Sequence, residues 1–224
     1  MVRKYWAIVV KDVLLEFRGK DMFVTMVAFI LMVGLLFGFA ISPYEVNLTP
    51  VFPGILWLSF LFAGMLAIGR GFEHEAQEDA LLGLMVAPGD RLAIFAAKMT
   101  TAFLFLFGVE LVMSPVLFGL MNQGFRGSLP LYVLTLALGS LGFASVGTLF
   151  SSIAANSRSA HVLIPVLMAP FAGPLLIFGV EATAGVLGTL PNGAGPWPWL
   201  HALMAFDGLF LALPLLLYEY VWEV

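Results

Sequence analysis

Two carboxylates sit inside long apolar runs, well away from charged neighbours: Glu110 in residues 92–120 and Asp207 in 199–220. An ionised carboxylate is costly in a bilayer core. Each must therefore face another helix or a watery cavity, or carry a proton. Ser114-Pro115 follows Glu110 by one turn, where proline predicts a kink and a freed backbone carbonyl. Glu110, Ser114, Pro115 and Asp207 are thus candidates for a hinge or a polar path through the membrane. The same residues also suit a structural role, with each carboxyl hydrogen-bonded to a neighbouring helix.

A second cluster lies in 70–91, where Glu73, Glu75, Glu78, Asp79 and Asp90 would be too costly to bury in lipid. The stretch lacks Gly and Pro between Phe72 and Leu82, which predicts a short helix ended by Gly83 and the Pro88-Gly89 turn. Asp90 can then cap the next helix. Arg70, Glu73, Glu75, Gln77, Glu78 and Asp79 would suit docking against a partner that offers Arg or Lys. A merely solvated charged loop fits the same pattern.

Enzymatic chemistry has little to stand on. A nucleotide-binding Walker A loop needs G-x-x-x-x-G-K-[ST]. The lone Gly19-Lys20 pair is followed by Asp21 and lacks the upstream glycine. There is no Cys, and His74, His161 and His201 show no ligand spacing, so no metal or redox centre is expected. Nothing in the pattern calls for nucleic acid. Any ATP-driven role requires a separate subunit.

The elements that position these residues follow from composition. Of 224 residues, 61% are hydrophobic and 11% charged, against roughly 25% charged in soluble domains. The mean hydropathy is +1.02. The solvent for most of this chain must be lipid. Six runs approach the roughly 20 apolar residues that a spanning helix needs: 22–41, 51–69, 92–120, 131–150, 161–181 and 199–220. The first is too long for the h-region of a cleaved signal, so a retained helix is expected.

Orientation follows from Lys and Arg in the connections. Arg3, Lys4, Lys11, Arg18 and Lys20 precede the first run; Arg70, Arg91 and Lys98 surround the second connection; Arg158 lies in the fourth. Only Arg126 falls on the other side. Both termini are therefore expected in the cytoplasm. Within 1–21, Trp6, Val9, Val10, Val13 and Phe17 form an apolar stripe opposite Lys4, Lys11 and Arg18, which predicts an interfacial amphipathic helix. Gly34 and Gly38, and the Ser140, Ala144, Thr148 ridge, permit close helix contacts within the chain or across a homodimer.

Several stretches resemble the CcmB family, the membrane subunits of the cytochrome c maturation ABC transporter. They are Pro53-Gly54-Ile55-Leu56-Trp57, Arg70 to Pro88, Asp90 to Lys98, Leu141 to Phe150, Ala154 to Arg158, and the Pro165, Pro170, Pro174 series with Val180 to Thr183. Glu78-Asp79-Ala80-Leu81 departs from the Glu-x-Gly-Thr/Ala/Ser of many members, which implies a straighter helix there. The resemblance implies an all-α, ABC-2-like fold with six spanning helices, an interfacial N-terminal helix and a coupling helix at 70–91. It also implies an ATPase subunit, CcmA, the membrane partners CcmC and CcmD, the heme chaperone CcmE, and pairing of two membrane halves. ATP would bind the partner and heme would be the substrate, with no cofactor resident here.

In that setting Trp197, Trp199 and His201 could stack on heme and ligate its iron on the periplasmic side, or form an ordinary interfacial Trp belt. Two rival functions remain: an ABC-2 exporter half for a lipid, glycan or drug, and a membrane scaffold that moves nothing.

Overall fold

The computed structural model describes residues 2–41, 47–77, 91–154 and 160–221. Among them, seven α-helices run in chain order: α1 Val2–Gly19, α2 Asp21–Ala40, α3 Phe52–Gln77, α4 Arg91–Leu120, α5 Leu129–Ala154, α6 Ala160–Leu187 and α7 Trp197–Val221. Four stretches are long and apolar enough to cross a membrane: Met22–Ala40, Leu92–Leu120, Leu129–Ala154 and Leu163–Leu187. A shorter apolar stretch, Phe52–Ile68, forms the first part of α3. This is a multi-pass membrane protein.

The outside of the bundle is oily, as a lipid solvent demands. Met32, Leu36 and Phe39 on α2 and Val112 on α4 are exposed. The inside is organised around α5, whose residues from Gly142 through Leu149 are all buried. Helices α4, α6 and α7 all pack on this central post, while α2 pairs with α3 at the edge. Small residues make the close approach possible. A side chain on Gly142 would strike Leu175 and Asp207, and one on Gly147 would strike Ile68. Buried hydroxyls on these helices turn back to carbonyls one turn earlier, as Ser59 does to Ile55 (2.6 Å) and Thr135 to Leu131 (2.8 Å). Their polarity is thereby satisfied inside the helix.

Helix α1 does not lead straight into α2. Lys20 takes the left-handed conformation (φ 61°), and the Glu16 carboxylate accepts the Phe23 N–H at 3.0 Å. Glu16 thus serves a donor of the first turn of α2 that has no partner within the helix. Helix α3 begins after an Asn47 turn, in which Oδ1 accepts the Thr49 N–H, and Pro53 occupies its first turn. Proline is well tolerated there because it lacks a donor that would in any case go unpaired.

Helix α3 does not stop where its apolar run stops. Arg70 through Gln77 continue it as about two further turns. The first half of the expected short acidic helix is therefore an extension of the second apolar run. Glu78, Asp79, Gly83, Pro88-Gly89 and Asp90 lie outside the described residues. Gly34 and Gly38 on α2 face the last turns of α4, where added side chains would meet Leu117 at 2.6 Å and the Leu120 carbonyl at 3.3 Å. That glycine pair serves a contact within the chain.

Candidate functional site

The acidic end of the bundle, where α3 leaves the apolar core and α4 enters it, is tied to α1. Lys98 on α4 pairs with Asp12 on α1 at 2.9 Å, and both side chains are largely shielded from solvent. Lys11 adds a second, more exposed contact to Asp12 at 3.2 Å. Tyr5, one turn from the start of α1, donates to Thr100 at 2.8 Å. Val9 is buried on this face, while Trp6, Val10 and Leu14 point outward. The apolar stripe expected on α1 is therefore divided between α4 and the surroundings. Sequence reasoning placed Lys98 only as a charge near a helix start. Its partner carried a signal, an acidic residue beside Lys11 on a helix otherwise apolar on that side.

Of the residues expected to dock a partner, Arg70, Glu73, Glu75 and Gln77 sit on the terminal turns of α3. Glu78 and Asp79 lie beyond the described residues.

Midway along the bundle, Glu110 is buried on α4, and its Oε2 lies 2.6 Å from Ser140 Oγ on α5. Ser140 also lies 2.8 Å from the Leu136 carbonyl. A hydroxyl has one proton and two lone pairs. Ser140 therefore donates to one acceptor at a time, Glu110 Oε2 or the Leu136 carbonyl. Ser114 is buried on the next turn of α4, and the buried Tyr132 hydroxyl on α5 has no hydrogen-bond partner among the described residues. Pro115 interrupts the hydrogen bonding of α4 but not the helix, which continues to Leu120.

Asp207 is also buried, on α7, but neither of its oxygens has a hydrogen-bond partner among the described residues. It faces Gly142, where an added Cβ would lie 2.6 Å from Oδ1. Ser140 and Gly142 are two positions apart on α5 and so look in nearly opposite directions. The two carboxyls therefore flank α5 at similar depth without forming a pair.

One polar contact between helices far apart in the chain is one that sequence reasoning missed. Trp57 of α3 donates its indole N–H to the Thr183 hydroxyl of α6 at 2.8 Å. Its ring occupies the space left by Gly139 of α5 and Gly179 of α6. Three helices meet on this side chain.

Trp197, Trp199 and His201 stand at the start of α7. Trp197 and His201 are exposed one turn apart, with ring centroids 6.1 Å apart. Trp199 turns elsewhere and lies against Phe178 of α6. The aromatic pair left facing outward is Trp197 with His201. Among the described residues, no cluster of three His, Asp or Glu could hold a metal ion.

The family described as CcmB protein matches residues 3–214, from α1 into α7. The chain belongs to the CcmB family. Among its relatives, the heme exporter protein B of Paracoccus denitrificans is 30% identical over 189 residues, spanning 84% of this chain and 86% of the relative. The Bradyrhizobium diazoefficiens protein of the same name is 29% identical over 198 residues, 88% of each chain. That of Pseudomonas aeruginosa is 26% identical over 195 residues, 87% of this chain and 86% of its own. The family match thus takes in the α1–α4 ion pair, the Trp57 contact and both buried carboxyls.

Proposed function

We propose that this chain is the membrane-spanning subunit of an ATP-driven transporter that handles heme for cytochrome c maturation. The observation that carries the reading is the family match over residues 3–214, with relatives named heme exporter protein B over most of their length. In this reading α2 to α7 are six spanning helices of an ABC-2-like permease, α1 lies along the inner surface, and both termini are cytoplasmic in the inner membrane. The distribution of Lys and Arg supports that orientation.

The chain is not itself an enzyme; ATP is bound and hydrolysed by a CcmA-like subunit. CcmC-like and CcmD-like membrane proteins and a CcmE-like heme chaperone complete the assembly, in which two copies of this chain pair. Arg70, Glu73, Glu75, Gln77, Glu78 and Asp79 receive the stroke of the ATPase. Because Arg70 to Gln77 continue α3 without a break, motion of that segment would be carried directly into the bundle. Glu110, Ser114, Pro115 and Asp207 provide the polar or hinge positions that such motion acts on.

The test is a triple reversal, Glu73→Lys, Glu75→Lys and Glu78→Lys, in a strain lacking the native copy. The variant should reach the membrane at normal abundance, yet lose ATPase co-purification and c-type cytochrome formation. Retained cytochrome formation with an unaltered ATPase partner would refute the coupling role. Co-purification with glycan or lipid enzymes instead of heme-handling proteins would refute the function.

A further inference from the structure

At the end of the bundle away from the acidic segment, an open cleft of about 460 Å³ lies between the start of α3 and the exits of α4 and α6. Chain geometry builds it. Helices α4 and α6 end in the same way, through left-handed residues Asn122 (φ 52°) and Gly188 (φ 69°). In each case a backbone N–H reaches back five residues, Gln123 to Phe118 and Thr189 to Ala184, both at 2.8 Å. These bonds satisfy terminal carbonyls of both helices.

The depth of the cleft follows from the spans around it. The apolar stretch of α4 ends at Leu120, that of α5 begins at Leu129 and that of α6 ends at Leu187. Asn122, Arg126 and Thr189, which line the cleft, lie just beyond those limits. They stand where hydrocarbon gives way to headgroups, whichever way the protein is oriented. Leu120 and Leu129, at the ends of these stretches, are exposed, as residues facing acyl chains are.

The lining has the chemistry of an anion site. Arg126 is exposed and makes no ion pair among the described residues. Its planar fork of donors suits two phosphate oxygens. Asn47 spends its oxygen on the Thr49 N–H, which leaves its amide hydrogens available, and Asn122 brings a second amide. Gln123 gives its Nε2 to the Met121 carbonyl at 3.1 Å, so its oxygen is left to accept from a hydroxyl. Among the described residues, no Asp or Glu lines the cleft. One guanidinium without a carboxylate matches a single negative charge and offers an ammonium group nothing to pair with.

We infer that this cleft holds the headgroup of an anionic phospholipid, with Arg126 on the phosphodiester and Asn47, Asn122 and Gln123 around a hydroxylated head such as glycerol. A lipid seated there bridges the exits of α4 and α6 to the start of α3. In the proposed topology it comes from the outer leaflet. The inference needs only a membrane-spanning chain and does not depend on the heme-handling reading.

The experiment places the full chain in phosphatidylcholine nanodiscs doped with phosphatidylglycerol or with phosphatidylethanolamine. Amide hydrogen exchange is followed over residues 121–127 and 187–190, a local readout that lipid gathered by the basic residues of α1 would not move. Phosphatidylglycerol should slow exchange in both segments, and phosphatidylethanolamine should not. Arg126→Gln should raise the phosphatidylglycerol needed by about tenfold, the order expected for one charge-assisted pair. Arg126→Lys should recover part of the loss. Asn122→Asp, which the left-handed backbone tolerates, adds a negative charge and should weaken protection too. Arg18→Gln on α1 should leave protection intact. Unchanged exchange over residues 142–149 of α5 in every variant would show that the fold is kept.

Equal protection by the two doping lipids, or equal response of wild type and Arg126→Gln, would overturn the site. The same protection from inorganic phosphate or glycerol 3-phosphate in undoped discs would assign the cleft to a soluble phosphate and overturn the lipid. Protection by an acidic peptide but by neither lipid would assign it to a protein partner, with the same consequence.

Discussion

The Trp57 indole and the Thr183 hydroxyl join α3 to α6 across 2.8 Å in the buried interior. The contact belongs to residues 126 positions apart and depends on Gly139 of α5 and on Gly179, one turn before Thr183 on α6. A buried indole N–H without a partner costs about 1–3 kcal/mol. The ring adds apolar contact on all sides.

Thr183→Val should therefore destabilise the protein by about 1–3 kcal/mol, since it strands the indole N–H without altering side-chain volume much. Gly139→Ala and Gly179→Ala should each cost a similar 1–3 kcal/mol by overpacking against the ring. Thermal unfolding in detergent measures all three. Thr183→Ser, which keeps the hydroxyl, should stay closer to wild type than Thr183→Val.

For Glu110, the contact with Ser140 matters more than the charge. Glu110→Gln supplies an amide donor to Ser140 in the same place and should leave the melting temperature nearly unchanged. Glu110→Ala strands Ser140 beside a small void and should cost about 2–4 kcal/mol. An equal loss in both variants would mean that the ionised carboxylate itself is needed for folding.

Asp207 offers the opposite expectation. Its carboxyl has no hydrogen-bond partner among the described residues, so Asp207→Leu removes a desolvated polar group and should hold or raise stability. Cytochrome c formation should nonetheless fall, because a buried polar group kept against its own cost points to use in the transport cycle. Wild-type function in a stable Asp207→Leu protein would assign it no role.

The Asp12–Lys98 pair can be tested by reversal. Asp12→Lys alone or Lys98→Asp alone sets like charges together in a shielded site and should loosen α1, seen as faster proteolysis near residue 20. The double reversal should restore much of the protection. Complete independence of the two substitutions would show that the pair does not hold α1.

The membrane character of the chain was plain from its composition, and α2, α4 and α5 largely coincide with apolar runs. What composition obscured was the difference between a helix and a span. Glu73 to Gln77 are poor lipid residues but contain no helix breaker, so α3 continues through them. The buried carboxyls stood out as charges in oil, yet their surroundings did not. Glu110 meets Ser140 only because α5 packs beside α4, and Asp207 approaches Gly142 only because that position lacks a side chain. The Gly34–Gly38 pair signalled a close contact without a partner; the fold supplies α4. The Trp57 site left no local trace, since neither periodicity nor spacing links residues 57, 139, 179 and 183.

Helix α4 runs unbroken from Arg91 to Leu120, a length of about 45 Å at 1.5 Å per residue. One end adjoins the acidic segment and the other passes directly into Met121 and Asn122 at the rim of the far cleft. A tilt of about 5° at one end would shift the other by about 4 Å over that length. A small displacement at one end of α4 would thus be felt at the other without any relay of side chains between them.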